Sequence, residues 1–399
     1  MSTTSHLSNS VRGRYENMYL EAAMARRVYD ILCYPISEDK EKLQRNSSIT
    51  VPFLSSMSIG SSAISETVDL TPQTLRDATS ALTPSSRGEA IQDSEKLLLT
   101  HYTDYAARRY QAIGENMVET LEAYLLDTAL AGQVAFSAAA RASLDAGTSG
   151  NRASDATFAK AKRYMQGLKC PEAKGVSGDG AGALFAIMHP DAYYDVRTGG
   201  NIVSIAQYQD GGIIINGELG FLDGFRIIAT PWAKVFGGAG ADNASNCATT
   251  LGAALNALSA SATVASGTNI EDGTYLTIGT EETSSTYYPM NERVMYYSGA
   301  DTTTLGFTGQ APNGGAKYDH ANGVAVRNAD SVYPILFGGP RSIAKAYASE
   351  VGEFGEIVGP KASGLADQFV SLAWKWYGGF ARISENWLCR AEVSSSLDA

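Results

Sequence analysis

Apolar and aromatic side chains recur every three or four positions at Leu98, Tyr102, Ala106, Tyr110, Ile113, Met117, Leu121, Leu125 and Ala129. That is the helical period, and it leaves one apolar stripe with Arg108, Arg109, Glu115, Glu119, Glu122 and Asp127 mostly off it. The pattern predicts one long helix from Ser94 to about Ala140, with Gly114 and Gly132 as points of bending or breakage. Such a helix needs something laid along its length. It is either the core helix of a large domain or the beam of a subunit that tiles against copies of itself.

Upstream, Tyr15, Met18, Tyr19, Ala22 and Ala25 predict a short helix from Arg14 to about Tyr34, ended by Pro35. Ile49, Val51 and Phe53 alternate at period two and predict a strand. The rest of 46–93 is Ser and Thr with isolated apolar residues such as Met57, Ile59, Ile64, Val68 and Leu70. It has too few large apolar side chains for a core of its own. An extended two-stranded arm lying on another subunit fits this, as does a long surface hairpin on its own domain.

Downstream, Ser154 caps a predicted helix through about Leu168, with Phe158, Ala161 and Met165 inward. Leu184 to Met188 reads as a buried strand, and His189-Pro190-Asp191 opens a helix that Gly199 and Gly200 stop. Strands are expected at Ile213 to Ile215 and Phe225 to Ile228, separated by a turn-rich stretch from Gly217 to Gly224. Residues Leu251 to Leu258 have weak helical spacing. Thr263-Val264, Tyr275 to Ile278, Val294 to Tyr297 and Thr304 to Phe307 then alternate apolar with polar, ending near Val326. They predict a small β-barrel or sandwich inserted over roughly eighty residues. Val332 to Phe337 returns to a buried strand, and a helix is expected around Ile343, Ala346 and Tyr347. Phe369, Leu372, Trp374, Trp376, Tyr377, Phe380, Ile383, Trp387 and Leu388 make the tail aromatic enough to pack into a core.

The 399 residues suggest two or three domains. A net charge of −11 argues against a general nucleic-acid binder, which needs a basic footprint. No apolar run has the length to span a bilayer and no signal-peptide core opens the chain, so a cytoplasmic site of synthesis is expected. Cys33, Cys170, Cys247 and Cys389 are scattered and read as reduced, mostly buried thiols. The four histidines hold no ligand spacing, so no metal and no cofactor is expected. Gly178, Gly180 and Gly182 precede a strand instead of joining strand to helix, so they lack the context of a phosphate loop. Patterns for zinc proteases, serine hydrolases, Walker-type nucleotide sites and EF-hands are absent, and no enzyme emerges.

The segments RYENMYLEAAMARRVYD (14–30), ISETVDLTPQTLRDATSALTPSSRGEAIQDSE (64–95), HPDAYYDVRTGGN (189–201), VRNADSVYPILFGGP (326–340) and WKWYGGFARISENWL (374–388) resemble the major capsid proteins of N4-like tailed phages. The likeness runs in order over nearly the whole chain. It implies the α+β HK97-type capsid fold: an N-terminal arm over 1–45 and an extended loop over 46–93. A peripheral domain with the spine helix would hold 94–149 and 350–399, an axial domain 150–240 and 330–349, and a β-rich insertion domain 241–329. It implies a chain that assembles with itself as hexamers and pentamers into an icosahedral shell in the host cytoplasm. That shell would meet a portal protein and scaffolding or decoration proteins, and enclose DNA without sequence-specific binding or a membrane. On that reading Phe53, Met57 and Ile59 are apolar contacts between subunits. Arg76, Arg87, Arg108 and Arg109 are candidates to pair with acids such as Glu66 or Asp69 across subunits, although each alone also reads as a solvated surface charge. Two other readings stay open: an encapsulin-like nanocompartment shell, expected without a large β insertion, and a monomeric surface protein whose insertion binds glycan.

Overall fold

The computed structural model describes residues 28–36, 48–55, 57, 59, 67, 72–100, 105–132, 134–172, 184–199, 203–204, 218–241, 247–270, 273, 275–279, 291–298, 303–311, 313–348, 353, 355–364, 368–383 and 385–398. They form two compact units. One holds Cys33–Glu119 and Ile343–Ile383, the other Val28–Leu32, Thr120–Ser342 and Ser384–Ala399.

The first unit is built on the 14-residue strand Phe369–Arg382. Leu372, Trp374 and Trp376 alternate along it and are all buried, the period-two pattern of a half-buried strand. The five-stranded sheet runs Cys33–Pro35, Ile343–Tyr347, Phe369–Arg382, Glu356–Ser363, and Ser85–Ser94 also pairs with the long strand. Ser85–Ser94 is antiparallel to it in unbroken register, from Ser94 opposite Phe369 to Ser85 opposite Gly378. Gly88 permits this: a Cβ there would stand 2.5 Å from the Trp374 carbonyl oxygen.

The predicted helix at 343–347 is a strand instead. Its apolar residues fit a helical spacing, but Ile343, Ala344, Lys345 and Ala346 are consecutive and all buried, as in a strand covered on both faces. The predicted helix from 94 to 140 is likewise shorter. Helix α1 spans Glu95–Thr100 and α2 spans Tyr105–Leu130, with 101–104 outside the described residues. Gly114 lies inside α2 without ending it. Arg390 donates to the carbonyls of Leu130 and Gly132, each at 2.5 Å, and so satisfies the end of α2 before the strand Ala135–Ser137 begins. The helix expected over 14–34 falls mostly outside the described residues; its last part is a 3-10 turn, Tyr29–Leu32, followed by the strand Cys33–Pro35.

The second unit has a seven-stranded sheet in the order Ala135–Ser137, Leu388–Val393, Tyr333–Gly338, Leu184–Met188, Phe225–Ala229, Glu218–Leu222, Val203–Ser204. Strand Glu218–Leu222 stands where turns were expected, hairpinned to Phe225–Ala229 through Asp223 and Gly224, both at positive φ. The expected strand at 213–215 lies outside the described residues. Helix α3, Asp155–Gly167, lays Phe158, Ala161 and Met165 into the core, although the Ser154 side chain makes no capping bond to the helix backbone. Helix α4, Pro190–Thr198, starts as its proline and Asp191 predict. The tail divides: Phe369–Arg382 belongs to the first unit and Leu388–Val393 to this sheet.

The insertion in this unit is a six-stranded sheet, Ala248–Thr250, Ala325–Arg327, Tyr275–Ile278, Glu292–Ser298, Thr304–Thr308, Ser261–Thr263. Leu276, Ile278, Val294, Tyr296, Leu305, Phe307 and Val326 form its own core. The stretch 251–258 is not helical; Leu251 and Leu255 bridge to Val264 and His320.

Glu392 is expected to make this unit sensitive to acid. Glu392 accepts from Arg141 at 2.5 and 3.0 Å and from Arg390 at 2.9 Å. Burial pushes its carboxyl up, but the hydrogen bonds and charges of the two arginines outweigh burial and hold it below its ordinary value of 4.5. A carboxylate whose folded pKa is depressed stabilises above the unfolded value, and that stability is lost as pH falls through the folded value. The urea midpoint is therefore expected to fall as pH is lowered below about 4.5, and less steeply in Glu392→Gln. Identical pH profiles for the two proteins would remove Glu392 as the cause.

Candidate functional site

In the first unit a two-stranded hairpin, Ile49–Leu54 with Asp77–Leu82, leaves the sheet. Its base is anchored: Ile49 and Leu82 pack on Ala344 and Ala346, and the Ser80 hydroxyl donates to the Arg382 carbonyl at 3.1 Å. Toward its tip the ladder continues, with Ser55 N donating to Arg76 O at 2.7 Å and Arg76 N to Ser55 Oγ at 2.9 Å. Beyond that the apolar residues meet solvent. Leu54 is 74%, Met57 64% and Ile59 94% exposed, and Leu75 is also exposed. Scattered exposed apolar residues are ordinary, but a row of them on one projecting arm marks an interaction surface.

The other end of the long strand has a second exposed apolar group. Phe369 is exposed there, and α1, which follows Ser94 directly, has Leu97 and Leu99 exposed and no buried residue. Glu95 N donates to Gln368 O at 2.8 Å, which ties α1 to this end of the sheet. The two apolar groups lie past opposite ends of Phe369–Arg382, since Ser80 sits at Arg382 and Ser94 at Phe369. A strand of that length spans roughly 45 Å, so the two groups stand at separate ends of the sheet.

Between them, Arg109 is buried and ion-paired with Asp93, Nε to Oδ2 at 2.9 Å, without the alignment of a hydrogen bond. The Tyr105 hydroxyl donates to the other Asp93 oxygen at 3.1 Å, and the Trp374 indole donates to Asn116 at 2.9 Å. The helix is thereby pinned to the sheet that carries the hairpin.

The sequence-predicted contact residues divide accordingly. Met57 and Ile59 are exposed on the arm beyond Ser55, and Arg76 is exposed opposite Ser55. Arg108 is exposed on α2, and Arg87 is half-buried on the strand Ser85–Ser94. The Phe53 side chain, Glu66 and Asp69 lie outside the described residues. Arg109 departs from the expectation: it meets its acid, Asp93, inside its own unit, so burial and pairing have already used its charge. Sequence reasoning missed Leu54, Leu75, Leu97, Leu99 and Phe369, although Leu97 and Leu99 were visible as apolar residues off the helical stripe.

Among the described residues no three His, Cys, Asp or Glu side chains gather as a metal site, and no helix is long and apolar enough to cross a membrane. Burial pushes the Cys170 and Cys389 thiols up to about 12, which leaves them protonated and inert near neutrality.

No curated protein matches the sequence. The capsid of Ralstonia phage GP4 is similar in structure, with a TM-score of 0.54 at 9% identity, covering 92% of this chain and 88% of that one. The capsid asymmetric unit of cyanophage Pam1 aligns with a TM-score of 0.50 at 11% identity, covering 93% of each chain. At such identities the likeness establishes the fold, an α+β fold of the HK97-like capsid type. A family model described as phage capsid protein matches residues 77–345, more than half of the sequence, and the chain belongs to the phage capsid protein family.

Proposed function

We propose that this chain is the major capsid protein of an N4-like tailed phage and that its hairpin arm joins neighbouring copies. Family membership gives it a structural role, not an enzymatic one, as a protein that assembles with itself into a shell. Beyond that, hexamers and pentamers, a portal, and scaffolding or decoration proteins are the expected partners. The host cytoplasm is the expected place of assembly. The hairpin corresponds to the extended loop, α2 to the spine helix of a peripheral domain over 94–149 and 350–399, 150–240 with 330–349 to the axial domain and 241–329 to the outward insertion.

The observation that carries the reading is the exposed tip, Leu54, Met57, Ile59 and Leu75, on an arm whose base is buried. Leu97, Leu99 and Phe369 offer apolar surface at the far end of the same sheet, with Glu95 beside them to meet Arg76. A tip on one copy and a seat on the next make a heterologous contact, the kind that closes into rings.

The test is electron microscopy of the chain expressed alone and together with the structural genes that neighbour it. Closed shells or capsomer rings support the reading. A chain that stays single under both conditions overturns it. The double variant Met57→Ser, Ile59→Ser is expected to lower shell yield at least tenfold while leaving the urea midpoint of the free subunit unchanged. Wild-type shell yield from that variant would remove the tip as an assembly contact.

A further inference from the structure

The final described segment, Ser394–Asp398, makes no strand, yet each of its polar side chains is bonded to the second unit. Ser394 N donates to Asn151 O at 3.0 Å and its hydroxyl to Asp145 O at 3.1 Å. The Ser395 hydroxyl donates to Asp191 O at 3.3 Å. Ser396 gives both its backbone N–H, at 3.0 Å, and its hydroxyl to the Asp195 carboxylate.

Asp398 ends the run on a node shared by three elements. Arg293, on the insertion strand Glu292–Ser298, pairs with Asp398 through Nη2 and with Asp191 of α4 through Nη1 at 2.8 Å. The Tyr333 hydroxyl, from the seven-stranded sheet, stands 2.8 Å from Asp398 and 3.1 Å from Asp191. Ser331 N donates to Asp398 at 3.3 Å. Arg293 also lies over the Tyr275 ring, 3.7 Å from its centroid, so the guanidinium is held on its own sheet while it reaches the other. His189 Nδ1, 3.4 Å from Asp191, closes the ring of groups.

We propose that Ser394–Asp398 is a strap that fastens the six-stranded insertion to the seven-stranded sheet through Arg293. The chain passes between the two sheets at two places, before 248 and after 327. These are held near each other by Gly240 N donating to Asp330 O at 2.8 Å and Asp330 N donating to Ala241 O at 3.3 Å. Two such connections alone form a hinge. The Arg293 node, with Lys317 over the Trp232 ring at 5.1 Å, is an attachment away from that line, and such attachments fix an angle that two connections leave free. The arginine fork engages one oxygen from each carboxylate, so without Asp398 it is held by Asp191 alone. Releasing Asp398 therefore loosens the insertion without unfolding either sheet.

Hydrogen exchange of the full-length protein, read by mass spectrometry, tests this in Asp398→Asn and Arg293→Met. Neither side chain bonds the amides of Gly240, Ala241 or Asp330, whereas Asp398 does accept from Ser331 N. The strap predicts that exchange at Gly240, Ala241 and Asp330 quickens at least tenfold in both variants while 184–188 and 333–338 keep their protection. Unchanged hinge exchange, with any effect confined to Ser331, overturns the proposal. If Arg293→Met does not fold, Asp398→Asn decides alone on the same criterion.

Discussion

Arg109→Met is expected to destabilise the free subunit by about 3–5 kcal/mol, because it removes one partner of a buried ion pair and leaves the other charge inside. Asp93 is buried at 2.9 Å from Arg109, and its second oxygen accepts from the Tyr105 hydroxyl, a neutral donor. Arg109 also donates to the Val370 carbonyl at 3.4 Å, so the long strand loses a tie to α2 as well. Changing both residues, Arg109→Met with Asp93→Leu, should cost clearly less than the sum of the single changes, since no charge is then left alone. Urea unfolding of the unassembled subunit measures all three. A loss under about 1 kcal/mol for Arg109→Met would mean that water reaches Asp93 and the pair is a surface one.

Phe337→Ala should cost about 3–5 kcal/mol through a different mechanism, a cavity in the second unit. Phe337 is fully buried and meets Phe158 edge-on at 5.2 Å and Phe225 at 4.9 Å, while Phe158 and Phe225 meet at 6.0 Å. Three rings in mutual edge-to-face contact cannot collapse around a missing one without turning all their favourable edges. Phe337→Leu keeps most of the volume and should cost well under half as much. Equal losses for the alanine and leucine variants would show that ring geometry, not volume, dominates the site.

Much of the fold is legible in the chain because some segments obey one period without competition. Leu184 to Met188 is apolar throughout and short, and it is the fully buried centre of a sheet. The Pro190 and Asp191 start of α4 and the alternation along Tyr275–Ile278 and Thr304–Thr308 are local signals of the same kind. Where two periods fit, the reading fails: Ile343, Ala346 and Tyr347 satisfy a helix, and only burial on both faces makes a strand of them. The far end of α2 is legible in part: Gly132 marks a break and the helix stops at Leu130. Arg390, which holds that end from 260 residues away, is a partner that no local pattern reports. The candidate surface shows the same split. Met57 and Ile59 stood out as apolar residues in a polar stretch, whereas the pairing of Arg109 with Asp93 needs the strand and helix already assembled.

The unbroken pairing of Ser85–Ser94 with Phe369–Arg382 sets a waiting time during synthesis. The first strand leaves the ribosome about 275 residues ahead of its partner, which at translation rates of roughly 5–20 residues per second is about 15–55 s. Throughout that interval its hydrogen-bonding edge is open, and many identical chains are being made at once. An open edge is a template for pairing with another chain. In a protein that assembles with copies of itself, that period is when pairing between chains competes most with folding, and slower translation of the last third lengthens it.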